Sequence, residues 1–260
     1  MSLEPDEEPQ EDQQSIPINQ ASHLLTSFTQ FLTVCIHNIL YYRSIYPAET
    51  FLTSRAYNLP VHQSRHPKVC SWIGDAIDAV EAQLVLGVVE RIAVVIYDGR
   101  ANVMERWMFD VASFPAWKGF KDAIGLRTEE EEMEPAEGAV EAENNTEAKV
   151  NWADVDEQLR ATIRKLAFAG EKMTPLPEGC TFTIAVELRD EGEAPIGHPQ
   201  PWIPTQSNLQ TKSKEKQVPG RDVGGAKTTP LRAVEAGPLF FECWVEEGKA
   251  KEQPSSSTSS

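Results

Sequence analysis

Apolar residues recur every three or four positions between residues 21 and 46: Leu25, Phe28, Leu32, Cys35, Ile36 and Ile39 make one stripe, which Phe31 and Leu40 broaden. That spacing follows the helical repeat and predicts a long, well-buried helix, ended where Tyr46-Pro47 forces the chain out of the helical region. A connector follows over residues 48–67. A second amphipathic helix is predicted over about 68–86, with Trp72, Ile73, Ala76, Ile77, Val80 and Leu84 on one face and Gly87 as its stop.

Both helices need a surface to cover, and the next segment supplies one. Arg91-Ile92-Ala93-Val94-Val95-Ile96-Tyr97 is β-branched, and Asp98-Gly99 then leads into residues 103–109 of alternating character, a strong hairpin signal. Val155, Leu159, Ile163 and Leu166 mark a third helix over about 152–169, and residues 179–188 read as a central strand. Between Arg189 and Pro238 no periodic element is convincing. Gly, Pro and polar residues surround one aromatic anchor, Pro201-Trp202-Ile203-Pro204, before residues 239–245 give a last strand. So long an irregular connection inside a compact domain is either a functional wrapping loop or disorder. Residues 212–227, basic, polar and Gly-rich, read as mobile, whereas Trp202 and Pro230-Leu231 look anchored.

Composition changes this picture only at the edges. The formal net charge is −16, but residues 1–20 hold six Asp or Glu and no Lys or Arg, and residues 128–148 hold nine Glu and no base. Those runs read as solvated, disordered segments, and the nearly neutral remainder argues against a general affinity for nucleic-acid backbones. Length and apolar content allow one sizeable core. The expected organisation is a disordered leader at 1–20, one domain at 21–247 with a disordered insert at about 121–150, and a flexible Ser-rich tail at 248–260. Cys35, Cys70, Cys180 and Cys243 lie far apart with no CxxC spacing, so buried free thiols are expected. The acidic leader is unlike a secretory signal and no run approaches the roughly 18 apolar residues of a membrane span, which points to a soluble intracellular protein. Asn144-Asn145-Thr146 matches a glycosylation acceptor but falls inside an acidic run.

Catalytic motifs are missing from the sequence: it has no Walker A loop, GxGxxG, GxSxG or HExxH. His62, His66 and Cys70 lie close in sequence without the second Cys/His pair that a metal site needs. His23 and His37 fall on the first helix, where hydrogen-bonded structural roles are expected, and Asp75 with Asp78 reads as solvating charge on an exposed face. No enzyme, cofactor or metal is predicted.

Residues 39–51, Ile-Leu-Tyr-Tyr-Arg-Ser-Ile-Tyr-Pro-Ala-Glu-Thr-Phe, and residues 105–110, Glu-Arg-Trp-Met-Phe-Asp, closely resemble HORMA-domain proteins of the spindle-checkpoint and polymerase zeta branches. Residues 57–67, residues 177–183 and the Pro201-Trp202-Ile203 anchor favour similarity to the polymerase zeta branch. The resemblance covers most of residues 22–246. It implies an α+β fold of three helices on an antiparallel sheet, with a C-terminal safety belt over about 189–247 that closes on a bound peptide. It further implies a nuclear, non-catalytic adaptor clasping a Pro-containing peptide of the polymerase zeta catalytic subunit and bridging it to a Y-family polymerase scaffold in translesion synthesis. The alternative branch implies a checkpoint protein sequestering an activator of the anaphase-promoting complex. Belt opening assisted by an AAA+ remodelling ATPase, and homo- or heterodimerisation, are implied as well, with no direct contact to nucleic acid or membrane.

Residue by residue, the resemblance places Tyr46, Trp72 and Trp202 at the peptide, Trp72 standing where the family has a Tyr. The scaffold surface maps to Trp202, Thr228, Pro230 and Leu231, with Thr228 in place of an apolar residue. Arg160, in Leu159-Arg160-Ala161, aligns with an Arg at the dimer surface. From the residues alone, Trp72 on a helix stripe reads as core before groove, Trp202 could merely pin its loop, and Arg160 could be an exposed helix charge.

Overall fold

The computed structural model describes residues 18–114, 150–189, 202–212 and 217–252. Most of the acidic leader, the acidic insert with its Asn144 motif, and the Ser-rich end of the tail lie outside the described residues. Within them the order is α1 (Ile18–Tyr42), a 3-10 turn at Ala48–Thr50, β1 (Phe51–Ala56), β2 (Leu59–Ser64), α2 (Pro67–Val85), β3 (Val89–Tyr97) and β4 (Val103–Asp110). Then come α3 (Trp152–Lys172), β5 (Thr181–Leu188), β6 (Lys227–Ala236), β7 (Leu239–Glu247) and a last turn, α4 (Lys249–Glu252).

The stripe on α1 is buried as its spacing predicts: Leu24, Phe28, Phe31, Leu32, Cys35, Ile36, Ile39 and Leu40 have no exposed surface. By length and mean hydropathy (1.2) α1 could cross a membrane, contrary to the sequence expectation, but two thirds of that window is buried against the rest of the chain. Its end is also earlier than expected. Ser44 takes the left-handed conformation (φ 54°), Ile45 N–H reaches back to the Leu40 carbonyl and Ser44 N–H to that of Tyr41, so a Schellman turn closes the helix before Pro47 is reached. Gly87 (φ 69°) closes α2 as read from the sequence.

The connector at 48–67 is a hairpin. Tyr57 and Asn58 both have positive φ (51° and 56°), the two-residue turn whose twist suits antiparallel strands. Of its two strands only Phe51, Val61 and Ser64 are buried, so there was little alternation to read. The hairpin docks on α1: Asn38 Oδ1 accepts from His62 N, His37 Nδ1 accepts from Ser64 N, and the His62 ring stacks on Tyr41 at 3.4 Å. His37 and His62 therefore have structural roles, and burial lowers the pKa of both rings. All four cysteines are free; Cys35 and Cys243 are buried, but Cys70 and Cys180 are only half-buried.

The main sheet has the order β5-β3-β4-β7-β6, every neighbouring pair antiparallel. β5, expected to be central, is thus an edge strand. Ile92, Val94, Ile96, Trp107, Phe109, Phe241, Cys243 and Val245 face the helices and complete the core with α1, α2 and α3. On the other face Ala93, Val95, Val103 and Met108 are covered by Leu209. β6 was missed in the sequence because it alternates poorly and contains Pro230, and residues 217–226 form hydrogen-bonded turns where mobility was expected, with Gly220 N donating to Gln210 O and Asp222 N to Asn208 O. α4 likewise falls in the segment expected to be a flexible tail.

α3 approaches α1 at Gly170, where a Cβ would stand 2.9 Å from Tyr42 Cβ. Gly170→Ala is expected to destabilise despite the helix-propensity gain, because overpacking costs about 1–3 kcal/mol against a gain of about 1 kcal/mol. Gly74→Ala on α2, with nothing within 4 Å of its Cβ, should stabilise by about 0.5–1 kcal/mol. Urea unfolding of the two variants checks the opposite signs.

Candidate functional site

The path of the chain between β5 and β6 defines the site. β5 ends at Leu188, beside Val89 at the start of β3, whereas β6 begins at Lys227, beside Glu247 and so next to Glu105 at the start of β4. The connection must therefore pass from one sheet edge to the other, four strand spacings or about 19 Å, and from one end of the strands to the opposite end. Leu209 lies on the outer face in contact with the Ala93, Val95, Val103 and Met108 cluster, so the connection straps across the sheet there.

The two edges differ. β6 carries Pro230, which has no N–H, and a register shift between Pro230 and Arg232; α3 also packs against it, with Arg232 Nη2 donating to Gln158 Oε1. Such features blunt an edge against pairing. β5 has neither proline nor a shift at its centre, and among the described residues nothing pairs with its outer side. Glu187 near its end accepts from Arg91 Nη1 (3.1 Å) and from Arg106 Nη2, and Arg106 also holds Glu246 of β7 at 3.1 Å. These ion pairs fix β5 to the strands behind it.

On the helix side the free edge is lined by three aromatic rings. Phe182 of β5 meets Trp72 of α2 edge-to-face (5.2 Å, 83°) and Tyr46, which follows the α1 turn, at 6.4 Å and 90°. All three are half-buried, and burial raises the pKa of the Tyr46 phenol. Tyr46 and Trp72, predicted from resemblance, are thus brought together, and the residue joining them, Phe182, was read only as part of a strand. A cavity of about 1260 Å³ opens at the β3–β4 turn, bounded by Asp98–Asn102, the Thr174–Glu178 linker, Gln206, Asn208 and Arg221 of the connection, and Lys249–Lys251 of α4. The turn of that hairpin places its positive φ at Ala101 (60°), with Asp98 Oδ1 accepting from Arg100 and Asn102 amides.

Trp202, also predicted at the peptide, is half-buried against the same main core as Tyr46, Trp72 and Phe182, and so is Leu231. Thr228 and Pro230 are exposed on β6, at the sheet edge opposite β5. Arg160 is partly exposed on α3 and pairs with Glu157 one turn earlier. Asp75 is half-buried and Asp78 exposed on α2. Among the described residues no three His, Cys, Asp or Glu side chains converge as a metal site would require.

Behind the site lies a charged cluster that sequence reading overlooked. Glu105, fully buried on the helix side of β4, accepts from Arg43 Nε (3.0 Å) and Nη2 (2.7 Å), Trp107 Nε1 (3.1 Å) and Lys251 Nζ (2.7 Å). Arg43 in turn donates to the carbonyls of Gly170 (2.8 Å) and Thr174 (2.6 Å), at the end of α3 and in the linker to β5. The signal was present: the alternation that turns Trp107 and Phe109 inward also turns Glu105 inward, and Arg43 continues the α1 stripe past Ile39.

The model of the HORMA domain matches residues 25–229. The DNA polymerase zeta processivity subunit of Schizosaccharomyces pombe is 30% identical over 219 residues, covering 84% of this chain and 90% of that protein. The mitotic spindle assembly checkpoint protein MAD2B of Homo sapiens is 26% identical over 223 residues, covering 84% and 88%. Among solved structures, a chain of the mitotic checkpoint complex superposes with a TM-score of 0.60 at 18% identity, covering 86% of this chain and 98% of that one. C. elegans HTP-2 bound to HTP-3 closure motif 1 gives 0.56 at 13% identity, covering 97% and 98%.

Proposed function

This chain belongs to the HORMA-domain family, and from that premise we propose that it clasps a Pro-containing peptide of the polymerase zeta catalytic subunit along the free edge of β5. It is related to the polymerase zeta processivity subunit and to MAD2B, and it is a non-catalytic adaptor. The observation that carries the peptide reading is the outer edge of β5, which pairs with nothing among the described residues, is flanked by Tyr46, Trp72 and Phe182 and leads into a connection that straps the sheet. A peptide added there gains main-chain hydrogen bonds and sets alternate side chains against the aromatic rings. The rings favour apolar or prolyl positions on that side. The connection then acts as a belt, and the peptide leaves only when the belt yields, so affinity resides in slow release.

Thr228, Pro230 and Leu231, on the far sheet edge, and Trp202 in the belt are the proposed surface for a Y-family polymerase scaffold. The separation of the two edges lets one chain hold both partners at once. Arg160 on α3 is the proposed dimer contact, belt opening is assigned to an AAA+ ATPase, and the workplace is the nucleus during lesion bypass. The competing reading is capture of an activator of the anaphase-promoting complex. Fragments containing proline, tiled across the polymerase zeta catalytic subunit, and checkpoint-type peptides are titrated against the purified chain. Tight, slowly released binding to one polymerase fragment is expected. Capture of checkpoint peptides alone would move the chain to the other branch.

A further inference from the structure

We infer that Lys251 is a latch: its burial beside Glu105 holds the β6–β7 hairpin and the end of the belt in place, and so sets how fast a clasped peptide escapes. The inference rests on the clasp reading for its consequence, though not for its geometry.

Lys251 lies beyond the last strand, in a segment that reads as tail, yet only 6% of its side chain is exposed. Its ammonium touches Glu105 Oε1 at 2.7 Å and Glu247 Oε2 at 2.6 Å. It can stand there only while β7 is paired with β4. Glu247 is registered against Glu105, Gly248 N donates to Met104 O at 2.8 Å, and a Cβ at Gly248 would fall 1.9 Å from the Val103 carbonyl oxygen. The end of the belt is tied to the same place. Ala226 N donates to Glu247 O (2.7 Å), Lys227 Nζ pairs with Glu247 Oε1 (3.2 Å), and Lys249 Nζ donates to the Arg221 carbonyl.

Through Glu105 the latch reaches the peptide side. Arg43 shares that carboxylate with Lys251 and also holds the Gly170 and Thr174 carbonyls, close to the linker that leads into β5. One charged cluster therefore joins the hairpin at one sheet edge to the approach to the other.

The choice of groups makes the latch reversible. If the hairpin leaves, Glu105 keeps Arg43 and Trp107 Nε1, so no carboxylate is stranded in the core, and Lys251 regains its hydration in water. A Lys holds as a compact point charge without the bidentate grip that Arg43 exerts on the same carboxylate.

Lys251→Met keeps the apolar stem and removes the charge. Hydrogen exchange of the peptide-free chain is measured first, followed by dissociation of the tightest-binding fluorescein-labelled polymerase zeta fragment. The expected result is faster exchange confined to residues 217–247, and dissociation accelerated about tenfold or more. Lys227→Met, which removes an exposed partner of the same Glu247, should change both by less than about twofold. Wild-type exchange over 217–247 in Lys251→Met overturns the latch whether or not any fragment binds. So does acceleration that extends equally through α1, which would mean general destabilisation, or an equal effect from Lys227→Met. If no fragment binds while the local exchange effect appears, the latch stands and the clasp reading is what fails.

Discussion

Replacing Glu105 by alanine is expected to lower the unfolding free energy by about 3–5 kcal/mol, the largest single effect in the molecule. The carboxylate has no exposed surface and gathers four donors, so its removal leaves two cations, Arg43 and Lys251, beside one another with 3% and 6% of their side chains exposed. Lys251 keeps Glu247, but Arg43 is left a buried cation held only by carbonyls, with a second cation beside it, and that costs far more than the lost pair was contributing. Against a total of roughly 5–15 kcal/mol for a domain, such a loss takes a large share of the stability. Urea unfolding followed by tryptophan fluorescence measures it. A loss below about 1 kcal/mol, the range of exposed ion pairs, would mean that the cluster is hydrated and not sealed.

The second large effect falls on binding. Phe182→Ala and Trp72→Ala are each expected to speed dissociation of the clasped fragment about ten- to a hundredfold, as loss of a buried aromatic anchor does at other interfaces. Both rings are half-buried before any peptide arrives, so part of their surface remains to be covered on binding. Association rates should hardly change. Thr228→Ala, exposed on the opposite edge of the sheet, should leave fragment dissociation as it was.

Much of this architecture could be read from hydrophobic period. The stripes of α1, α2 and α3 are long enough for their spacing to be unmistakable, and the β-branched run of β3 has no other reading. Where reading failed, the cause was physical. β1 and β2 sit outside the main sheet with only three of their twelve residues buried, so they show little apolar alternation, and their turn depends on positive φ at Tyr57 and Asn58, which composition does not announce. β6 is an edge strand with a proline and a register shift, covered on one side by α3, and it too lacks the alternation of a half-buried strand. Calling β5 central followed from its apolar composition, but that composition serves the aromatic groove as well as the core.

The candidate site was legible in a different way. Tyr46 and Trp72 came from resemblance and not from spacing, since an aromatic on a helix stripe reads as a core residue before a groove residue. What the structure adds is Phe182 between them and an edge for a peptide to join. The Arg43–Glu105–Lys251 cluster could have been half seen, because two opposite charges stood on inward positions of α1 and β4. Lys251 could not, since nothing in a Lys-Ala-Lys-Glu turn before a Ser-rich end marks one ammonium for burial.

Hydrogen exchange of the chain with and without the bound polymerase zeta fragment tests the clasp most directly. The account predicts strong slowing at the amides of Thr181–Leu188 on the outer side of β5, accompanied by slowing in residues 202–212 as the belt tightens, with β6 little changed. Binding that leaves β5 exchange untouched and protects β6 instead would contradict it, because the peptide would then occupy the edge that Pro230 and α3 close.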